Sequence, residues 1–82
     1  MTEQQIQAKK IKQLETDGYY VIKLTKTNKN GIPDLVALKS NHPVLFVEVK
    51  NKKGKLSKLQ EYRIKELKNY GFTVEVYRDN GN

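Results

Sequence analysis

The first apolar pattern in the chain has the spacing of a helix. Thr2 and Gln5 stand three residues apart, which is the spacing of a helix capping box. A rough apolar stripe follows at Ile6, Ala8, Ile11 and Leu14. We therefore predict a helix over residues 3–16, stopped by Asp17-Gly18.

A second helical pattern lies in the C-terminal half. Ser57 and Gln60 repeat the capping-box spacing, and Gly71 stands where a glycine commonly follows the end of a helix. Between them runs an amphipathic stripe: Leu59, Tyr62, Arg63, Leu67 and Tyr70. This segment predicts a helix of about four turns.

Four short segments rich in β-branched and aromatic residues predict strands, at residues 19–24, 34–39, 44–50 and 72–78. The short SNHP turn makes the second and third strands an antiparallel hairpin. The helix between the third and fourth strands is the crossover that makes those two parallel. The predicted fold is therefore α/β, in the order αβββαβ, with a mixed sheet flanked by helices.

Length and composition narrow the class of protein. At 82 residues we expect one domain, 1–82, with a thin core. The absence of cysteine excludes disulfides and thiolate metal sites, and the lone His42 cannot form an imidazole cluster. No apolar run approaches the length of a membrane span or a secretory signal, so we expect an intracellular protein without a membrane partner.

Charge is distributed unevenly along the chain. The net charge is +7, and residues 50–68 hold eight basic side chains against Glu61 and Glu66. This balance favours a polyanionic partner, nucleic acid first and an acidic membrane second. A basic surface that serves only solubility is the simpler alternative, which the concentration of charge disfavours.

Two carboxylates interrupt the apolar strands. Side chains alternate along a strand, so Glu48 and Lys50 share the face opposite the apolar one. With the hairpin turn centred near residue 41, Asp34 lies opposite Glu48. Two carboxylates this close repel each other, and a bound cation relieves the repulsion. Oxygen ligands without soft donors suit Mg²⁺ or Mn²⁺.

Further residues near this pair are candidates for the same site. The Val49 carbonyl is a candidate metal ligand, and Glu3 is another if the first helix packs across the same face. Lys50 is placed to hold an attacking water or to neutralise charge on a phosphate. Gln60 is placed to orient Lys50 or the water. The following basic segment supplies candidate DNA contacts, partly at a helix N-terminus: Lys52, Lys53, Lys55, Ser57 and Lys58.

Each of these residues also has an ordinary interpretation. Glu48 and Lys50 fit the wet face of a half-exposed sheet, and Asp34 fits a turn after proline. Gln60 fits a capping box alone, and Glu3 fits the first turn of a helix, where the helix dipole favours acids. A Glu-x-Lys pattern by itself is common.

The motifs taken in order are more specific than each alone. GIPDL, then VEVK with its glutamate fourteen residues after the aspartate, then GKLSKLQ resemble the virus-type replication-repair nuclease domain, VRR-NUC. That family belongs to the PD-(D/E)xK nuclease superfamily. The resemblance covers nearly the whole chain.

The resemblance implies a restriction-endonuclease-like core and a Mg²⁺- or Mn²⁺-dependent endodeoxyribonuclease. Its metal would be held by Glu3, Asp34, Glu48 and the Val49 carbonyl. Lys50 would be catalytic and Gln60 part of the site. Stand-alone phage-encoded members are similar to Holliday-junction resolvases and act as homodimers on branched DNA, which places them in the cytoplasm of a bacterial host.

Two other functions fit the same charge pattern. One is a non-catalytic nucleic-acid-binding module that uses the basic surface of residues 50–68. The other is a structural protein bound to acidic partners. The first predicts salt-sensitive binding to DNA without cleavage, and the second predicts neither cleavage nor a preference for branched DNA.

Overall fold

The computed structural model describes residues 1–79 and confirms the predicted order of elements. The predicted domain 1–82 extends three residues beyond the described part. The helices and strands are α1 (Glu3–Thr16), β1 (Tyr20–Lys23), β2 (Leu35–Leu38), β3 (Leu45–Lys50), α2 (Lys58–Asn69) and β4 (Thr73–Arg78). The first helix has the predicted bounds, and each strand is shorter than predicted by one or two residues.

The four strands form one mixed sheet in the order β1-β2-β3-β4. β1 and β2 pair antiparallel, β2 and β3 pair antiparallel, and β3 and β4 pair parallel. The hairpin and the crossover are therefore both as predicted. Leu35 lies opposite Val47 in the hairpin, so one further step of the same register puts Asp34 opposite Glu48.

Helix α1 covers one face of the sheet and builds the core with it. The buried apolar side chains are Ile6 and Leu14 of the helix and Leu35, Ala37, Val47 and Val49 of the strands. Capping boxes fix the first turn of both helices: Thr2 with Gln5, and Ser57 with Gln60. Among residues 1–79, no helix has the length and apolar character needed to cross a membrane.

Helix α2 lies against the opposite face of the sheet, but only Arg63 and Leu67 of the predicted apolar stripe are half-buried there. Leu59, Tyr62 and Tyr70 are exposed, and the buried side chain is Ile64. Spacing alone could not separate these two sides of the helix. The inward direction is set by contacts with β4, which lie outside the local sequence.

Candidate active site

The hairpin brings the two predicted carboxylates together. Asp34 directly precedes β2, and its Oδ2 accepts a hydrogen bond from the Val49 N–H over 2.8 Å. Glu48 lies next to Val49 and is only 2% exposed. Glu48 is therefore not on a wet face, and the Asp34 side chain does more than form a turn.

Burial and charge together change the acidity of Glu48. Its pKa rises from 4.5 to about 8, first because burial disfavours the ionised form and second because of the negative charge of Asp34. A hydrogen bond between the two carboxyl groups raises the pKa further, and the ammonium of Lys50 opposes these effects. Glu48 is buried beside a second acid, so its ionised form is unfavourable in the metal-free protein. A divalent cation bound at this site would stabilise that ionised form.

Lys50 approaches the pair from the same face of β3. Its Nζ lies 3.8 Å from Glu48 Oε2, and its side chain is 11% exposed. The ammonium is therefore held near the carboxylates rather than extended into solvent. This position is consistent with the predicted role in neutralising charge on a bound phosphate.

Gln60 connects the start of α2 to the carboxylate pair. Its Oε1 accepts a hydrogen bond from the Ser57 N–H over 2.9 Å, and its Nε2 donates to Glu48 Oε2 over 3.4 Å. The capping box thus fixes which end of the amide faces the site. Gln60 is both a cap partner and a site residue, and the group it contacts is Glu48 rather than Lys50.

Pro33 explains why the Val49 carbonyl is a candidate ligand. The Leu24 N–H donates to the Asp34 carbonyl, so the backbone of Asp34 is directed toward β1 and that of Pro33 toward β3. The hairpin register, continued two residues beyond the pair Leu35 and Val47, puts Pro33 opposite Val49. Proline has no N–H and cannot supply the ladder hydrogen bond to that carbonyl. This role of the proline was not predicted from the sequence.

Glu3 lies at the N-terminus of α1, and that helix packs on the face opposite the carboxylate pair. Glu3 was a candidate ligand on the condition that α1 packs across the face that carries Glu48. That condition is wrong, because α1 does not cross this face. Its negative charge nevertheless contributes, as the smallest effect, to the raised pKa of Glu48. Within residues 1–79 no three Asp, Glu, His or Cys side chains are grouped to hold a metal. Glu3 as a ligand stays a prediction.

The predicted DNA contacts lie at the same end of the sheet as the carboxylates. Lys52, Lys53, Lys55, Ser57 and Lys58 are all exposed, in the loop between β3 and α2 and at the first residue of α2. The Ser57 hydroxyl also accepts the Gln60 N–H over 3.1 Å, as the cap of α2. DNA contact by these side chains stays a prediction.

Arg78 holds this basic loop in place, a role that was not predicted from the sequence. It ends β4, and its guanidinium donates to the carbonyls of Asn51, over 3.2 Å, and Gly54. No local signal distinguishes this arginine from the other basic residues. Its role depends on the parallel pairing that places the end of β4 beside the end of β3.

The fold and the site together define a class of protein. A proline-aspartate step at the start of one strand faces a Glu-x-Lys motif at the end of the next, on a small mixed sheet between helices. This is the arrangement of a PD-(D/E)xK nuclease.

The chain belongs to the VRR-NUC domain family, whose model matches residues 1–79. No curated protein matches the chain. Family membership indicates a nuclease with DNA as its substrate.

Proposed function

We propose that this protein is a Mg²⁺- or Mn²⁺-dependent endodeoxyribonuclease that cleaves branched DNA, four-way junctions above all. The observation that supports it best is the buried Glu48 beside Asp34 and Lys50. Branched DNA as the substrate is supported by the resemblance to phage-encoded junction resolvases.

The residues at the site fit a hard divalent cation. Asp34 and Glu48 offer carboxylate oxygens, and the Val49 carbonyl lies opposite a proline that cannot hydrogen-bond to it. Oxygen ligands of this kind suit Mg²⁺ or Mn²⁺ and leave coordination positions for water and phosphate. When bound, such an ion polarises a phosphoryl oxygen and lowers the pKa of a bound water.

The chain's own residues prepare the site for that chemistry. Lys50 supplies a positive charge next to Glu48, where it can offset charge that develops on the phosphate. Gln60 donates to Glu48 and so holds its carboxylate in one orientation. The Asp34 carboxylate is anchored by the Val49 N–H. The site is thus ordered before substrate arrives, which reduces the cost of reorganisation.

Cleavage of a labelled four-way junction tests the proposal. We expect nicking with Mg²⁺ or Mn²⁺ and none with EDTA, while binding to the junction persists in EDTA. Linear duplex of the same length and composition is the control for the preference for branches. Binding without cleavage under either metal would instead support the second candidate, a non-catalytic DNA-binding module, which the exposed lysines also favour.

The proposal includes a homodimer, because two cuts related by symmetry need two sites. Its support is an apolar surface on the α2 side of the molecule. Every large apolar side chain that is exposed within residues 1–79, apart from Met1, lies on this side: Tyr20, Ile22, Leu38, Leu59, Tyr62, Tyr70 and Phe72. Tyr20, Ile22 and Leu38 lie on one face of β1 and β2. Within these two strands that face bears no charged side chain, whereas the chain as a whole carries a net charge of +7. The part of this surface on β1 and β2 therefore adds no charge repulsion between two copies, and exposed apolar patches commonly mark interfaces.

We expect the double substitution Tyr20→Lys with Tyr70→Lys to convert the dimer to a monomer. Both side chains are at least 70% exposed, so their loss leaves the core intact. Light scattering after size exclusion measures the mass. Gln4→Lys with Ala8→Lys adds the same charge on α1 and should leave the dimer intact. A wild-type protein that is monomeric at all concentrations would contradict this part of the proposal.

A further inference from the structure

We propose that the loop between β1 and β2, residues 24–34, is a second DNA-contacting surface, and that Lys26 and Lys29 bind phosphates there. The inference rests on the proposed function, since it requires DNA at the carboxylate site. The β1–β2 loop would contact DNA on one side of the carboxylate site, and the basic loop at 51–57 lies on the other side. The substrate backbone would then be held on both sides of the scissile phosphate.

The loop opens at the site itself. It leaves β1 after Lys23 and returns through Pro33 to Asp34, and the hydrogen bond from the Leu24 N–H to the Asp34 carbonyl closes its base over 2.8 Å. In the order β1-β2-β3-β4, Asp34 lies just before β2 and Glu48 lies on β3. The loop therefore flanks the pair from the β1 side.

The second basic loop flanks the pair from the other side. Arg78, at the end of β4, donates to the carbonyls of Asn51 and Gly54 and draws residues 51–54 toward that strand. The two loops thus lie at one end of the sheet, with the carboxylates between them. A phosphodiester bound at the carboxylates would have a basic loop on either side.

The charges of the β1–β2 loop favour an anion. Residues 18–33 contain no aspartate or glutamate, and residues 25–30 are all exposed. Within the described residues, the side chains of Lys26 and Lys29 take part in no ion pair or hydrogen bond, unlike Lys9, Lys10 and Lys50. A polar cavity of about 300 Å³ lies along the loop, and both lysines line it.

Contacts with α2 hold the loop in a defined position. Arg63 Nε donates to the Asn30 carbonyl over 2.8 Å. Gly31 has a φ of +81° and packs so tightly that a Cβ there would lie 2.8 Å from Leu59 Cγ. The same helix places Gln60 against Glu48. A loop that is ordered before DNA binds loses less conformational entropy on binding.

The test is the salt dependence of DNA affinity in EDTA, where cleavage does not interfere. Fluorescence anisotropy with a labelled four-way junction, from 50 to 200 mM KCl, gives the slope of log Kd against log salt. Each phosphate contact contributes about 0.9 to this slope. We expect Lys26→Ala with Lys29→Ala to reduce the slope by about 1.8, and Lys26→Arg with Lys29→Arg to retain it.

The matched control is Lys12→Ala with Lys39→Ala. It removes two lysines outside the basic surface of residues 50–68, near the end of α1 and just after β2, away from the end of the sheet that bears the carboxylates, and should leave the slope within about 0.5 of wild type. A slope as steep in the loop variant as in this control would overturn the inference and leave the proposed function standing. Absence of DNA binding by the wild-type protein would overturn both.

Discussion

Replacing Glu48 with glutamine is expected to lower the rate of metal-dependent cleavage by at least about a thousandfold. Charge stabilisation by a catalytic metal is worth several kcal/mol, and each 1.36 kcal/mol is tenfold in rate. Glutamine has the shape of glutamate but cannot give a metal the same anionic ligand. Single-turnover cleavage of a labelled four-way junction at saturating enzyme measures the change.

The same substitution should not harm the fold. Glu48 is buried with a pKa of about 8, so at pH 7 it is largely neutral in the metal-free protein, and a neutral amide replaces a neutral acid. We expect the melting temperature of Glu48→Gln in EDTA to equal or exceed that of wild type. DNA binding in EDTA should also persist.

Glu15→Gln is the matched control for this experiment. It removes one carboxylate from the exposed surface of α1 and should retain full activity. Cleavage by Glu48→Gln at a rate within tenfold of wild type would contradict the assignment of Glu48 as a ligand. A large loss of melting temperature would show instead that the carboxyl group serves the fold.

Metal affinity is expected to rise by about tenfold for each pH unit between pH 6 and pH 8, and then to level off. Glu48 carries a proton below its raised pKa of about 8. A metal must displace that proton to bind, and one proton displaced corresponds to about tenfold in affinity per pH unit. Titration calorimetry with Mn²⁺ in buffers of different ionisation enthalpy measures both the affinity and the protons released.

The stability of the metal-free protein should change with pH in the opposite sense. The pKa of Glu48 in the folded state lies above its ordinary value of 4.5. The folded chain therefore retains a proton that the unfolded chain has lost, and this stabilisation is lost as the pH rises from about 4.5 through 8. We expect the melting temperature in EDTA to fall over this range, and Mn²⁺ to restore it most strongly near pH 8.

Asp34→Asn is the variant that tests the physical cause. It removes the negative charge that helps to raise the pKa of Glu48 and keeps an oxygen that can accept the Val49 N–H. The fall in melting temperature should therefore occur at lower pH in this variant. A pH profile identical to wild type would show that Asp34 does not interact with Glu48.

The order of helices and strands could be predicted because its signals are local. Capping boxes at Thr2 and Ser57 mark both helix starts, and the short turn near residue 41 sets the register of the hairpin. The meeting of Asp34 and Glu48 follows from that register alone. Strand ends were less accurate, since β1 covers Tyr20–Lys23 rather than residues 19–24.

The sequence predicted which residues form the site, but not how deeply each is buried or which groups it contacts. The sequence named Glu48, Lys50 and Gln60, yet it did not indicate that Glu48 is buried or that Gln60 contacts it. The burial of Glu48 depends on α2, which lies over the face of the sheet that carries this side chain. Helix α2 begins eight residues after β3 ends. Side-chain exposure of this kind is a property of the packed layers, not of strand periodicity.

The sequence by itself determined the elements, their order, the pairing of the hairpin and the family's motifs, because these depend on spacing between near neighbours. Only the tertiary structure decided which side of α2 is buried, how Pro33 leaves the Val49 carbonyl without a ladder partner, and how Arg78 holds the basic loop. These features arise where separate segments meet. Their energies depend on distances and burial that no local pattern contains.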